Sequence, residues 1–291
     1  MVLMQVLNGC TLIRGKITRG VGGHYTVMTA DGEFTCHARG LFRKHEITPL
    51  VGDLVEISTE GYLLEIMPRK NELNRPKIAN IDQVIVTCSV RPAVNFHMLD
   101  AFLISCEVQD VPAVLCVNKI DLDPEGSHKE ILKMYESAKY RTIAVSAQTK
   151  EGLEGLTDIL AGKTSIFAGA SGVGKSSILN ALYPELALAT GGLSEKIGRG
   201  KHTTRHTQLV QVGEGTYVVD SPGFTSVKVD HIPRRKLQDY YPEFDGHKNE
   251  CYYVKCIHIT EHDCAVQDQV GESIHPARYE QYKNFIQLTK E

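Results

Sequence analysis

Gly169-Ala-Ser-Gly-Val-Gly-Lys-Ser176 fits the spacing G-x-x-x-x-G-K-[ST]. Glycines at these positions let a backbone turn tightly enough to aim several N–H groups at one anion, provided the loop leaves a strand and opens a helix. Ser165-Ile-Phe-Ala168 is a short β-rich run immediately before the loop, and Lys175 to Leu182 reads as helical. The backbone from Gly172 to Ser176 would wrap a polyphosphate, with Lys175 neutralising β- and γ-phosphate charge and the Ser176 hydroxyl ligating Mg²⁺. The predicted contact set is Gly169, Ala170, Ser171, Gly172, Val173, Gly174, Lys175, Ser176 and Ser177. A plain glycine-rich turn is the competing explanation, and the strand and helix on either side weigh against it.

A polyphosphate loop does not name its base. Asn118-Lys-Ile-Asp121 follows the β-rich Ala113-Val-Leu-Cys-Val117. An aspartate here can accept hydrogen bonds from N1 and N2 of guanine, which adenine does not offer, while the stem of Lys119 lies on the base plane. Ser146-Ala147, after Thr142-Ile-Ala-Val145 and ahead of the Gly152-Leu153 helix start, would present a backbone N–H to guanine O6. Asp220-Ser-Pro-Gly223 follows another β-run, so the Asp220 carboxylate would hold Mg²⁺ through water and the Gly223 N–H would sense the γ-phosphate. Together the four elements predict GTP or GDP with Mg²⁺, and Asn118-Lys-Ile-Asp121 disfavours a P-loop ATPase. Their order is unusual, because the base-reading motif precedes the phosphate loop.

Hydrolysis needs a group that orients water. Phe224 follows Gly223 where many GTPases carry glutamine, and a phenyl ring cannot position water by hydrogen bonding. Slow intrinsic turnover is expected. Gly198-Arg-Gly-Lys-His-Thr-Thr-Arg-His206 suits a mobile loop, and Thr203 or Thr204, with Thr204 favoured, can reach Mg²⁺ and the γ-phosphate. His202 is the candidate substitute for the glutamine. The catalytic set is therefore His202, Lys175 and Thr204, and the Mg²⁺ set Ser176, Thr204 and Asp220. A solvated basic loop with an incidental histidine remains the alternative.

Cys251, Cys256, His258 and Cys264 form a C-x4-C-x-H-x5-C pattern, whose three thiolates and one imidazole suit a closed tetrahedral zinc site of structural type. His247, His262 and His275 are nearby competitors. One structural Zn²⁺ would fold a segment too small to have its own core.

These motifs need strands and helices to hold them. Five extended runs occur before about Arg69: Gly15–Thr18, His24–Met28, Glu33–Ala38, Leu54–Ser58 and Tyr62–Met67. Gly22-Gly23 and Asp31-Gly32 are turn signals among them. That predicts a small Greek-key barrel of OB type, as an RNA-binding domain over 1–70 or as a purely structural barrel. Residues 71–80, polar and holding Pro76, read as a linker. Strand–helix alternation from Ile81, with helices including His97–Val108, predicts a central α/β nucleotide-binding domain over 71–230. The Cys/His module and a polar, aromatic tail fill 231–291. The chain of 291 residues has a net charge of -3, so RNA contact must use local basic patches such as Arg39, Arg43 and Lys44 beside Leu41-Phe42, or Lys201 and Arg205. No apolar run approaches the roughly 18 residues of a membrane span, and no signal-peptide pattern opens the chain, which predicts a cytoplasmic protein without membrane contact. Cys88, Cys106 and Cys116 lie in apolar segments and read as buried free thiols.

Taken together, the barrel, Asn118-Lys-Ile-Asp121, Ser146-Ala147, Gly169 to Ser176, Lys201-His-Thr-Thr204, Asp220-Ser-Pro-Gly223 and the Cys/His pattern resemble the RsgA/YjeQ family of circularly permuted, small-ribosomal-subunit-dependent GTPases. The resemblance covers essentially the whole chain. It implies late maturation of the 30S ribosomal subunit, contact with 16S rRNA through the barrel and the zinc module, and GTP hydrolysis stimulated by the subunit. His202 and Phe224 match the family's switch histidine and the hydrophobic residue after its D-x-P-G. A monomer meeting other assembly factors on the subunit is expected. The alternative is a nucleotide-gated RNA-binding module with little turnover.

Overall fold

The computed structural model describes residues 6–7, 10–38, 42, 47–74, 76–186, 207–220 and 229–290. The early strands are β1 (Val6–Leu7), β2 (Cys10–Val21), β3 (His24–Thr29), β4 (Gly32–Ala38), β5 (Leu54–Ser58), β6 (Tyr62–Ile66), β7 (Glu72–Asn74) and β8 (Lys77–Ala79). Next come β9 (Gln83–Ser89), helix α1 (Phe96–Val108), β10 (Ala113–Asn118), α2 (His128–Ser137), β11 (Arg141–Ala144), α3 (Leu153–Leu160), β12 (Thr164–Ala168) and α4 (Lys175–Leu182). Strands β13 (Gln208–Gly213) and β14 (Thr216–Asp220) and helices α5 (Ala265–Asp268) and α6 (Pro276–Leu288) complete the set. No helix among the described residues is long and apolar enough to cross a membrane.

Two compact units divide the chain. The first takes residues 1–83, 160–166 and 193–224; the second takes 84–159, 167–192 and 225–291. In the first, the strands run β2-β3-β4-β6-β5 and close by the antiparallel pairing of β5 with β2. Closure removes the free edges an open sheet would expose. Alternating side chains point inward, and Ile17, Val27, Cys36, Val55, Ile57 and Leu63 are buried. The five predicted runs fall on barrel strands, the last overrunning β6 by Met67. Phe42, beside the candidate RNA patch, offers no surface for stacking on a base, because the residue is only 8% exposed; burying that apolar area is worth about 1.5–3 kcal/mol. Leu41, Arg39, Arg43 and Lys44 lie outside the described residues.

The predicted linker is folded. β7 and β8 pair antiparallel, with Leu73, Ile78 and Ala79 buried, and Asn71 bonds both polar groups of Ile81 through its side chain. Only three apolar side chains carry this hairpin, too few to stand out among polar neighbours. β13 was also not expected. It pairs with β14 in a hairpin, and only Leu209 of its six residues is buried. In the same unit β14 runs parallel to β12, Ile166 opposite Val219.

The second unit is built on parallel β9, β10 and β11. Every residue of β9 and nearly every residue of β10 is buried, as expected of parallel strands covered on both faces. Cys88, Cys106 and Cys116 are free and buried, and burial pushes the Cys88 thiol up to about 12. Helix α1 starts at Asn95, whose side chain accepts from Met98 N at 3.0 Å. The C-terminal segment is more ordered than a polar tail: α6 opens with Pro276 and packs Tyr282, Phe285 and Ile286 with Tyr241 and Phe244 into one core that also holds Ala101 and Ile104 of α1.

Candidate nucleotide site and Cys/His centre

Ala168 ends a fully buried strand and Lys175 opens α4, so the loop between them has its predicted strand–loop–helix setting. Two of its glycines are required by space and conformation. Gly169 has φ 137°, and a Cβ there would strike the carbonyl of Thr87; Gly174 has φ 96°, and a Cβ would strike the side-chain amide of Asn118. Lys175 curls over the loop, its Nζ donating to Gly169 O at 2.9 Å and Ala170 O at 2.8 Å. Burial lowers its pKa from the ordinary lysine value. The ammonium is thus held among carbonyls it can leave for a phosphate oxygen. Ser176 is buried at 8% exposure, Val173 is buried, and Ser171 and Gly172 face solvent.

The structure ties the expected base-reading loop to this phosphate loop. Asn118, 1% exposed, donates Nδ2 to Val173 O at 2.9 Å and accepts Ala147 N at 3.2 Å on Oδ1. It therefore acts as a clamp joining three loops, with both side-chain atoms engaged by protein. Lys119 has a left-handed backbone, φ 63°, strained for a residue with a Cβ. Its Nζ bridges Gly172 O at 2.7 Å and Arg91 O at 2.9 Å, stretching the aliphatic stem across the loop as base stacking needs. Asp121 is exposed, and its Oδ1 accepts from Ser146 Oγ at 2.6 Å, which turns the carboxylate. Ser146 itself is buried, its N–H bonded to Glu151 O.

Sequence reasoning missed two supports. Arg91 contributes its backbone carbonyl to Lys119 and its Nε to Leu122 O at 3.2 Å, and neither bond follows from a residue pattern. Asp123, two residues past the motif, accepts the backbone N–H and ring Nδ1 of His128. The His128 N–H and then its ring and Ser127 hold this carboxyl well below the usual aspartate range. Asp220 ends β14, but its side chain and Gly223, with Lys201, His202, Thr203, Thr204, Arg205 and Phe224, lie outside the described residues.

The Cys/His centre is compact. One ligand atom from each of Cys251, Cys256, His258 and Cys264 lies within 4.8 Å of the others. Cys256 Sγ is 3.7 Å from Cys264 Sγ, and Cys251 Sγ is 3.9 Å from it. His258 Nδ1 stands 3.3 Å from Cys264 Sγ and 3.5 Å from Cys251 Sγ. A tetrahedral Zn²⁺ with bonds of about 2.3 Å to sulfur has sulfur–sulfur edges of about 3.8 Å, so the donor set fits that ion. The surroundings hold it: Glu261 accepts the N–H groups of Ile257, Ile259 and Thr260. Tyr279 and Tyr282 of α6 donate to the carbonyls of His258 and Ile257. Of the competing histidines, His247 and His275 are bonded elsewhere, to Ser273 and to Ala277 N.

Comparisons with known proteins agree with this geometry. A family model described as RsgA GTPase matches residues 66–230, and one described as RsgA N-terminal domain matches 14–62. A protein named small ribosomal subunit biogenesis GTPase RsgA from Caldanaerobacter subterraneus subsp. tengcongensis is 42% identical over 285 residues, covering 96% of each chain. A Geobacillus sp. (strain WCH70) protein of the same name is 43% identical over 289 residues, covering 96% of this chain and 98% of its own. The crystal structure of YjeQ from Thermotoga maritima superposes with a TM-score of 0.81 at 34% identity, over 95% of this chain and 98% of that one. YloQ, described as a circularly permuted GTPase, gives 0.78 at 34% identity, over 95% and 94%. With a family model matched over residues 66–230 and relatives 42–43% identical along nearly their full length, the chain belongs to the RsgA GTPase family.

Proposed function

We propose that this chain is a GTPase of small-ribosomal-subunit biogenesis, binding 16S rRNA and hydrolysing GTP to GDP and phosphate when it meets the 30S subunit. The observation that carries the reading is the pair of bonds from the Asn118-Lys-Ile-Asp121 loop to the phosphate loop, Asn118 Nδ2 to Val173 O and Lys119 Nζ to Gly172 O. They hold guanine recognition and phosphate binding as one rigid unit. Residues 1–70 would serve as the RNA-binding barrel, 71–230 as the circularly permuted GTPase and 231–291 as the zinc module.

In this reading Asp121, oriented by Ser146, accepts from guanine N1 and N2, while Lys119 covers the base. The N–H of Ala147 must leave Asn118 Oδ1 to meet guanine O6. Lys175 leaves the carbonyls of Gly169 and Ala170 for the phosphates, a cheap exchange because its burial already disfavours the charged form among neutral acceptors. Ser176, Thr204 and Asp220 would hold Mg²⁺, which supplies charge neutralisation at the phosphates. Cys251, Cys256, His258 and Cys264 would hold one structural Zn²⁺. His202 would orient the attacking water. The protein would act in the cytoplasm as a monomer, meeting further assembly factors on the subunit.

GTP turnover, measured for the purified chain alone and with small subunits, large subunits or whole ribosomes, tests the proposal. Strong stimulation by the small subunit alone is expected, with His202→Ala removing most of it. Slow turnover that no ribosomal particle changes would refute the partner.

A further inference from the structure

Gln238 lies in the turn of 3₁₀ helix Arg234–Tyr240, 20 residues before His258 in sequence, and its Oε1 is 2.6 Å from His258 Nε2. The orientation of this amide follows from the chain itself. Its Nε2 donates to Arg235 O at 2.9 Å, which leaves the oxygen, an acceptor only, facing the imidazole. His258 Nε2 must then carry the ring proton. A neutral imidazole protonated on Nε2 keeps its lone pair on Nδ1, and Nδ1 is the atom that faces Cys251 Sγ and Cys264 Sγ. The ring is 0% exposed, edged by Phe244 and Tyr282. No bulk water reaches it to supply a substitute acceptor.

We infer that Gln238 is the positioning residue of the metal centre, selecting the His258 tautomer and thereby presenting Nδ1 as the ligand atom. The inference rests on reading the Cys/His centre as a zinc site. Outer partners of metal-bound histidines are usually carboxylates, carbonyls or water, and their loss typically costs 10–100-fold in metal affinity. A neutral amide oxygen orients the ring without adding negative charge, so it leaves the imidazole less basic than a carboxylate would.

The test uses the full chain. Zinc content of the purified protein is measured first, then zinc affinity by competition with a chromophoric chelator for wild type, Gln238→Met and Gln238→Glu. Gln238→Met is expected to bind zinc about 10–100-fold more weakly, and Gln238→Glu as tightly as wild type or more so. Nitrogen-15 NMR of the zinc-loaded wild type is expected to show His258 bound through Nδ1 with the proton on Nε2. Unchanged affinity in Gln238→Met would overturn the inference. Equal weakening in both variants would overturn it too, because packing rather than hydrogen bonding would then be the cause. A wild-type chain without stoichiometric zinc would sink the metal reading first and this inference with it.

Discussion

At the residue scale, the nucleotide site is a set of side chains already held by other protein groups. Asp121 keeps one carboxylate oxygen on Ser146 Oγ, so Asp121→Asn should retain an oriented side chain while replacing an acceptor by a donor. Preference is expected to move from guanine toward xanthine nucleotides, measured by competition for a fluorescent GDP analogue; unchanged guanine selectivity would remove Asp121 from base reading. Gly174 is under a double constraint, φ 96° and the approach of Asn118 Nδ2. Gly174→Ala forces a left-handed alanine, costing about 1–3 kcal/mol, and pushes away the amide that bonds Val173 O. Nucleotide affinity should fall about tenfold or more in the same assay, and wild-type affinity would mean the loop relaxes freely.

At the scale of elements, α1 carries an aspartate where a buried helix should be apolar. Asp100 is 0% exposed and faces Arg278 of α6, whose Nη1 lies 2.6 Å from Asp100 Oδ1; Arg278 Nε lies 2.9 Å from Glu243 Oε1. Tyr135 of α2 donates to Asp100 at 2.6 Å, and the Tyr241 ring lies 4.8 Å from the guanidinium. One cation thus pairs with two buried carboxylates drawn from the nucleotide-binding part and the C-terminal part of the same unit, leaving Asp100 Oδ2 without a hydrogen-bond partner among the described residues. Burial pushes the Asp100 carboxyl up while Arg278 and Tyr135 pull it down, burial being the larger effect. Arg278→Met should cost about 3–5 kcal/mol, since it strands two charges without a partner. Urea unfolding measures this, and the triple variant Arg278→Met, Asp100→Asn, Glu243→Gln should recover part of the loss. A single variant as stable as wild type would show that the carboxylates take up protons at little cost.

At the scale of the whole molecule, the C-terminal fold is built around its Cys/His centre. Tyr279 and Tyr282 bond the carbonyls beside it, and Cys256 and Cys264 belong to the same core as Phe244 and Phe285. With the centre holding zinc as proposed, a chelator should expose residues 251–264 and α6 to hydrogen exchange, because ligand binding free energy is folding free energy in such modules. The barrel strands should keep their protection. Equal exchange with and without zinc would assign the order of this segment to its apolar core alone.

Signals that rest on local chemistry were legible in the sequence. Gly169 to Ser176, Asn118-Lys-Ile-Asp121 and the Cys/His spacing pointed to groups of residues that the structure brings together, because tight turns, fork-shaped acceptors and soft donors have few substitutes. Strongly apolar runs such as Val84–Cys88 and Ala113–Val117 gave their strands for the same reason. Contacts between distant segments left no such trace. The β7–β8 hairpin depends on Asn71 reaching Ile81, and β13 gains its place by pairing with β14 and, at Gln208, with β2. Asp100, Glu243 and Arg278 carry no pattern in the sequence that sets them apart, and they meet in a core only after folding. Gln238 and His258, 20 positions apart, are joined by a hydrogen bond that no spacing encodes. Residue chemistry is carried by the chain locally, whereas which polar groups satisfy one another in a water-poor interior is decided when tertiary packing removes the solvent.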